Sequence, residues 1–304
     1  MELVNYSKAL DDETRLRLVN VLMRHELAVN EIVAVLGLKQ SRISRHLKIL
    51  SDAGLAVARR DGQWVFYRAV DDGPAREFLD AVAPLMDGEE VLAADVRLAD
   101  ETVIRRAEDM ARFFDQLAED WERMRREALG DFPLADEVLA RLPGRCDVAV
   151  DLGCGPGELL ERMRSFCDRA IGVDYSQAML DLARKRLGED EAVSLRLGDL
   201  EHLPLGDGEA DCAVMSLVLH HLPKPAQGLA EVGRILAPGG VFVVVDFIRH
   251  DQEAMRSRYG DRWLGFDAGD IRRWLREAGF VDPEIASHTL ESGLSLFITS
   301  AMKK

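Results

Sequence analysis

Three hydrophobic periods follow one another along the chain. In the first 70 residues Leu16, Val19, Leu22 and Met23 form one apolar stripe, and Ile32, Val33 and Leu36 another, both at helical spacing. Gly37 breaks the second. Between residues 40 and 52, Ile43, Leu47 and Leu50 recur at i, i+4 and i+7, so a helix there turns Gln40, Ser41, Arg42, Ser44, Arg45 and His46 away from its core face. Residues 56–60 and 63–68 then alternate on either side of Asp61-Gly62, a pair that supplies the positive φ of a tight hairpin turn. Residues 89–129 lack Pro and Gly. Within them Val96, Ala99, Val103, Ala107, Met110, Phe114, Leu117, Trp121, Met124 and Ala128 recur every three or four residues, which predicts one long amphipathic helix or two abutting ones. Gly130, Pro133, Pro143 and Gly144 mark the entry to a second region. Strands are expected there at 148–152, 170–174, 193–197, 212–216 and 241–246, with helices reaching to about residue 165, from 177 and through 235. That alternation predicts an α/β fold with a doubly wound parallel sheet, completed by extended stretches at 284–288 and 294–301.

Charge changes the picture of the first region. The whole chain of 304 residues carries a formal net charge of -15, which argues against a polyanionic partner for the molecule as a whole. Residues 1–70 nevertheless hold eleven Lys and Arg against eight Asp and Glu, and residues 39–68 hold seven against two. Such a basic island on an acidic chain is a local binding face. The donors Gln40, Ser41, Arg42, Ser44, Arg45 and His46 at the start of a helix suit phosphates and base edges in a major groove. The basic hairpin beside that helix reads as a wing.

Composition sets the compartment. No apolar run approaches the ~18 residues of a membrane span, and residues 1–10 lack a signal peptide's apolar core. The four cysteines form no CxxC or CxC pair and have no metal-ligand spacing with the seven histidines. A soluble, cytoplasmic protein with buried thiols, no membrane association and no metal is expected.

The chemistry-bearing stretch is 147–157, Asp-Val-Ala-Val-Asp-Leu-Gly-Cys-Gly-Pro-Gly. A buried strand runs into Gly153, Gly155 and Gly157, where bare backbone and a helix start form a cradle for a small molecule. The nicotinamide-dinucleotide fingerprint is G-x-G-x-x-G, and here the third glycine comes one residue early. With Asp151 two residues ahead of the first glycine, the stretch resembles motif I of the class I S-adenosylmethionine (SAM) methyltransferases. Later segments continue the resemblance: Leu219-His220-His221-Leu222, and Arg234-Ile235-Leu236-Ala237-Pro238-Gly239-Gly240. It implies ligand residues at the carboxyl ends of the strands. Asp174 would accept from ribose hydroxyls with Tyr175 next to it, and Asp199 from the adenine amino group, with the Leu200 backbone facing the ring. Met179 would pack on the adenine and Ser216 would meet the methionine portion. Phe113, Phe114 and Trp121 resemble the aromatic helix that covers the pocket in that family.

Residues 10–70, through Asp-Glu-Thr-Arg-Leu-Arg-Leu, Gln-Ser-Arg-Ile-Ser-Arg-His-Leu-Lys-Ile-Leu and Gly-Gln-Trp-Val-Phe-Tyr-Arg, resemble the ArsR-family winged-helix repressors. The resemblance implies a homodimer on a near-palindromic double-stranded DNA operator, with Arg59, Arg60 and Gln63 in the wing. It departs at the sensor. The arsenite-binding Glu-Leu-Cys-Val-Cys stretch is here Glu26-Leu27-Ala28-Val29-Asn30, and residues 74–90 contain no histidine for a zinc site. Taken whole, the chain is similar to ArsR-type regulators that carry a methyltransferase-like domain, some responsive to S-adenosylhomocysteine (SAH). Residues 1–88 are then a winged-helix domain, 89–130 a connecting helix and pocket lid, and 131–304 a Rossmann-like class I methyltransferase domain. The implied function is a DNA-binding regulator with SAH or SAM as effector, and the alternative is an active methyltransferase acting on a small molecule. No catalytic residue is assigned, because methyl transfer can rest on proximity and alignment alone.

Overall fold

The computed structural model describes residues 2–61 and 64–304. They form two compact units, Met1–Asp109 and Met110–Lys304. In the first, helices α1 (Glu2–Ala9) and α2 (Glu13–Leu22) precede a short strand β1 (Leu27–Ala28), then α3 (Val29–Leu36) and α4 (Gln40–Asp52). The hairpin β2 (Ala56–Asp61) and β3 (Trp64–Ala69) follows, then α5 (Gly73–Val82) and the long α6 (Glu90–Leu117). Local chemistry sets the ends. Asp12 caps α2 by accepting from the Arg15 N–H at 3.2 Å, the Glu31 carboxylate accepts from the Ala28 N–H at 2.7 Å, and Gly37 at φ 66° stops α3. Of the expected stripes, Val19, Leu22, Ile32, Leu36, Ile43, Leu47 and Leu50 are buried, while Leu16, Met23 and Val33 are partly buried against the same core, which Leu18 and Leu79 join. The antiparallel sheet has three strands in the order β1-β3-β2, one more than the hairpin alone, with Leu27 opposite Tyr67. The expected turn residue Gly62 lies outside the described residues.

The first half of α6 is bolted to this unit by polar contacts. Arg17 makes a two-pronged ion pair with Asp95 at 2.7 and 2.8 Å, and the Asn20 amide donates to the Leu92 carbonyl at 3.1 Å. His25 and Asp100 lie 2.6 Å apart, and Arg106 donates to Glu31 at 3.3 Å.

In the second unit α7 (Trp121–Leu129) and α8 (Leu134–Leu139) precede an alternation of strands and helices: β4 (Cys146–Leu152), α9 (Glu158–Met163), β5 (Cys167–Asp174), α10 (Gln177–Leu187), β6 (Val193–Leu197), β7 (Ala210–Ser216), α11 (Pro225–Ile235) and β8 (Leu236–Phe247). Helices α12 (Ala254–Tyr259) and α13 (Ala268–Glu277) and strands β9 (Phe280–Thr289) and β10 (Ser295–Lys303) complete it. The seven-stranded sheet has the order β6-β5-β4-β7-β8-β10-β9, with β6 to β8 parallel and β10 antiparallel to both its neighbours. Alternate side chains feed two cores: Val150, Leu152, Met215 and Val244 belong to one, Ala149, Val214, Val243 and Val245 to the other. The chain leaves β4 toward β5 on one side and reaches β7 on the other. The carboxyl ends of these strands therefore frame the crevice where open α/β sheets bind ligands.

Of the two forms expected for 89–129, the chain takes two helices, separated by a 3-10 turn at Ala118–Asp120 that no Pro or Gly marks. All four cysteines are buried, as expected, and form no disulfide. One boundary needs correction: the fifth parallel strand starts at Leu236, well before Val241, while helix α9 ends at Met163, close to the expected 165.

The Arg17–Asp95 pair generates a test, since Asp95 is 3 % exposed and loses its partner when Arg17 is removed. Arg17→Met is expected to destabilise the first unit by about 3 kcal/mol, read as lost hydrogen-exchange protection of α2 amides. Unchanged protection would mean α6 contributes little to that unit.

Candidate ligand cavity and nucleic-acid interface

At the carboxyl ends of β4, β5 and β7 lies a cavity that is partly open to solvent. Its base is the glycine turn. A Cβ on Gly153 would overlap the Val218 side chain, while Gly155, at φ 50°, faces the cavity with the Trp121 Nε1 3.8 Å from where a Cβ would stand. Gly157 serves another purpose: a Cβ there would press on Ala183 at 3.1 Å and Leu187 at 3.3 Å, so it allows α9 to close onto α10 and does not line the cavity.

Two carboxylates from adjacent strands share this floor. Asp174, ending β5, accepts from the Gly155 N–H at 2.8 Å and the Ser176 N–H at 2.9 Å, which holds the glycine turn and starts α10 while leaving part of its acceptor capacity open. Asp151, near the end of β4, is 2 % exposed, and its Oδ2 has no hydrogen-bond partner. Burial pushes the Asp151 carboxyl up to about 7, with the neighbouring Asp174 charge adding to the effect. Burial likewise raises Asp174 to about 6, against the backbone N–H groups of Ser176 and Gly155 that favour its charged form. Tyr175 also lines the cavity, and its hydroxyl is a second buried polar atom without a hydrogen-bond partner.

The roof is aromatic. Phe114 packs edge-on against Trp121 at 5.8 Å, Tyr175 at 5.6 Å and His221 at 4.8 Å. Asp115 fixes that end of α6 by accepting from Ser176 Oγ at 2.5 Å and the Ala178 N–H at 3.2 Å, and Arg125 on α7 pairs with Glu158 at 2.5 Å. The expected residues Trp121, Asp151, Gly153, Gly155, Asp174, Tyr175, Met179 and Ser216 thus share one cavity. Asp199 and Leu200 are not among its lining residues. The Asp199 carboxylate accepts from the Glu201 N–H at 2.9 Å within its own turn with its side chain largely in solvent, and Leu200 is buried in the core. Phe114 lines the cavity from the expected aromatic lid, and Arg125, Leu217 and His221 line it as well, at positions that no motif marks as ligand-facing. Leu217 is the one non-glycine residue at positive φ, 58°, among the described residues, a strained conformation of the kind found at binding sites.

In the first unit α4 presents Gln40, Ser41, Arg42, Ser44 and Arg45 to solvent, with Lys39 before them and no side chain capping the helix start. Free backbone N–H groups and exposed donors together suit a phosphate backbone. Arg42 is steadied by a 2.8 Å hydrogen bond to Thr14 Oγ1. Two expected DNA residues point elsewhere. The His46 ring turns toward Asp12, 3.6 Å from its Oδ1, and Arg59 pairs with Glu26 at 2.8 Å while its guanidinium covers the Phe66 ring at 4.6 Å. Arg60 is exposed, and Gln63 lies outside the described residues.

Comparison with known proteins agrees with both halves. Residues 12–57 match the family model of the bacterial regulatory protein arsR family, and residues 150–244 that of a methyltransferase domain. An uncharacterized 37.1 kDa transposon protein of Streptomyces fradiae is 46 % identical over 36 % of this chain and 32 % of its own length. A Mycolicibacterium smegmatis protein named "Probable S-adenosylmethionine-dependent methyltransferase" is 39 % identical over 35 % of this chain and 41 % of its own. The chain therefore spans well under half of these relatives. Among solved structures, a chain from the "Complex between the Haloferax volcanii Trm112 methyltransferase activator and the putative methyltransferase" aligns over 63 % of this chain and 98 % of its own, with 22 % identity and a TM-score of 0.53. A geranyl diphosphate methyltransferase solved with sinefungin covers 56 % and 76 %, with 18 % identity and a TM-score of 0.50. These likenesses carry the fold. No helix among the described residues is long and apolar enough to cross a membrane.

The carboxylate pair makes stability pH-dependent in a definite direction. Its folded pKa values lie above the ordinary 3.8, so its stabilising contribution is complete below that pH and is lost as pH rises through 6 and 7. Replacing Asp151 by Asn removes its share, on the order of 3 to 4 kcal/mol by pH 8. Urea unfolding of wild type and Asp151→Asn between pH 5 and 8 is expected to show the variant gaining relative stability as pH rises; parallel profiles would contradict the burial argument.

Proposed function

We propose that this chain, an ArsR-family helix-turn-helix segment joined to a domain with the class I SAM methyltransferase fold, is a cytoplasmic transcriptional regulator. It binds a near-palindromic DNA operator as a homodimer, and SAH or SAM in the second unit is its effector. One observation carries this reading: the cavity presents buried, unpaired acceptors where an adenosyl amino acid offers donors, while the family's thiol positions are occupied by Ala28 and Asn30. The Asp151 Oδ2 atom answers an ammonium group, the open lone pairs of Asp174 answer ribose hydroxyls, and Met179, Phe114 and Trp121 supply apolar faces. Helix α6 is the candidate coupler. It contributes Asp95 to the first unit and Phe114 to the cavity of the second, and the division between the units falls within it after Asp109.

A working methyltransferase with a DNA-binding appendage is the second reading. It is favoured by a smaller cavity that shares Trp121, Arg125, Leu217 and His221 with the first, as an acceptor site beside a donor site would. Operator binding measured at fixed salt with no ligand, SAM or SAH separates the two. Couplings of ~1 to 3 kcal/mol change affinity about 5 to 150-fold. SAH is expected to produce a change in that range and SAM a smaller one, with Trp121→Ala reducing the difference. Arg42→Ala combined with Arg45→Ala is expected to abolish specific binding. Equal operator affinity in all three states, with turnover of a methyl acceptor, would leave the enzyme.

A further inference from the structure

The smaller cavity is mostly apolar, bounded by Met124, Leu129, Phe247 and Met255, but one wall carries His220, His221 and Asp261. The three are 3 %, 8 % and 4 % exposed, and one donor atom from each lies within 4.8 Å of the other two. They come from the 3-10 turn after β7 and the loop after α12, forty residues apart, so no sequence spacing announces them.

Each ring is already oriented from behind. His221 Nδ1 is 3.2 Å from the Gly260 carbonyl, and because a carbonyl only accepts, that nitrogen carries the hydrogen and leaves the Nε2 lone pair of the neutral ring free. His220 Nδ1 is 2.7 Å from Asp246 Oδ1. The Asp246 carboxylate also accepts from the N–H groups of His220 at 3.1 Å and Phe247 at 2.7 Å, so it is held as an acceptor and its imidazole partner presents Nε2 forward. A histidine whose rear nitrogen donates to a carboxylate or carbonyl is the arrangement that metal-binding histidines adopt.

Asp261 supplies the independent observation. Its side chain is 0 % exposed, and neither carboxylate oxygen has a hydrogen-bond partner. The nearest facing nitrogen of the pair, His220 Nε2, stands 3.6 Å from Oδ1, too far for a hydrogen bond. That separation is close to the ~3.3 to 3.6 Å between ligands around a tetrahedral ion bound at ~2.0 to 2.2 Å. A buried carboxylate without donors is costly unless a cation sits against it.

We infer that His220 Nε2, His221 Nε2 and the Asp261 carboxylate bind a divalent first-row transition ion, with Asp246 and the Gly260 carbonyl fixing the rings and the remaining coordination positions open to the cavity. Two imidazoles and one carboxylate suit such an ion and leave room for water or a small ligand. The site does not depend on which adenosyl compound occupies the first cavity.

The test uses the full chain, stripped with a chelator, dialysed against Zn²⁺ or Co²⁺, desalted and analysed for metal. About one ion per chain is expected, as for a site with three protein ligands. His221→Gln and Asp261→Asn should each lose it, and Asp246→Asn should weaken it roughly 10 to 100-fold with the ligands intact. His202→Gln, at a largely exposed histidine outside the cluster, should change nothing. Wild type that retains no metal would overturn the site, leaving an electrostatic triad of His220 between two carboxylates. Retention unchanged in His221→Gln and Asp261→Asn would overturn it equally. If both variants fail to fold, the Co²⁺ absorption spectrum of wild type decides: nitrogen and oxygen ligation supports the site, and a spectrum of hydrated ion refutes it.

Discussion

The hydrogen bond from the Gly155 N–H to Asp174 is the contact on which the ligand cavity rests. It joins the turn after β4 to the end of β5, and with the Ser176 bond it makes one buried carboxylate serve two strand ends. The cost is visible next door, where Asp151 sits in the same low-dielectric floor with an unpaired oxygen. A floor with this charge and these open acceptors is poised for a ligand that brings donors and positive charge, whichever of the two functional readings holds.

The aromatic roof is assembled from the opposite direction. Phe114 and Trp121 belong to separate helices because the chain makes a 3-10 turn at Ala118–Asp120, and Asp115 anchors that end of α6 to the start of α10. In the first unit the polar anchoring is just as specific, through Arg17, Asn20 and His25 to the front half of α6. One helix is thus held at its two ends by polar contacts to different units. In the proposed mechanism a ligand that orders the Phe114 end acts on an element that the operator-binding unit also holds, and it shifts DNA affinity only by its differential affinity for the two states.

Much of this was legible in the sequence because period and glycine spacing are local signals. Ile43, Leu47 and Leu50 define α4 and its exposed face, and the motif from Asp151 to Gly157 defines the crossover and the cavity floor. What was not legible depends on partners distant in sequence. Arg59 looks like a wing residue until Glu26 and Phe66 arrive beside it, and His46 looks like a base reader until Asp12 turns it inward. Asp199 sits on the expected strand end, but its own turn claims the carboxylate. The turn at Ala118–Asp120 that separates the two helices carries no Pro or Gly to place it. The cluster of His220, His221 and Asp261 needs the loop after α12 to fold back before it exists.

The central claim is that the cavity and the operator are thermodynamically linked, and linkage is reciprocal: if SAH changes operator affinity, the operator must change SAH affinity by the same factor. Calorimetric titration of SAH into the free protein and into the operator-saturated protein measures that factor directly. The account predicts dissociation constants that differ by about 5 to 150-fold, in the same sense as the effect of SAH on DNA binding. Identical constants, with the operator confirmed bound throughout, would contradict it.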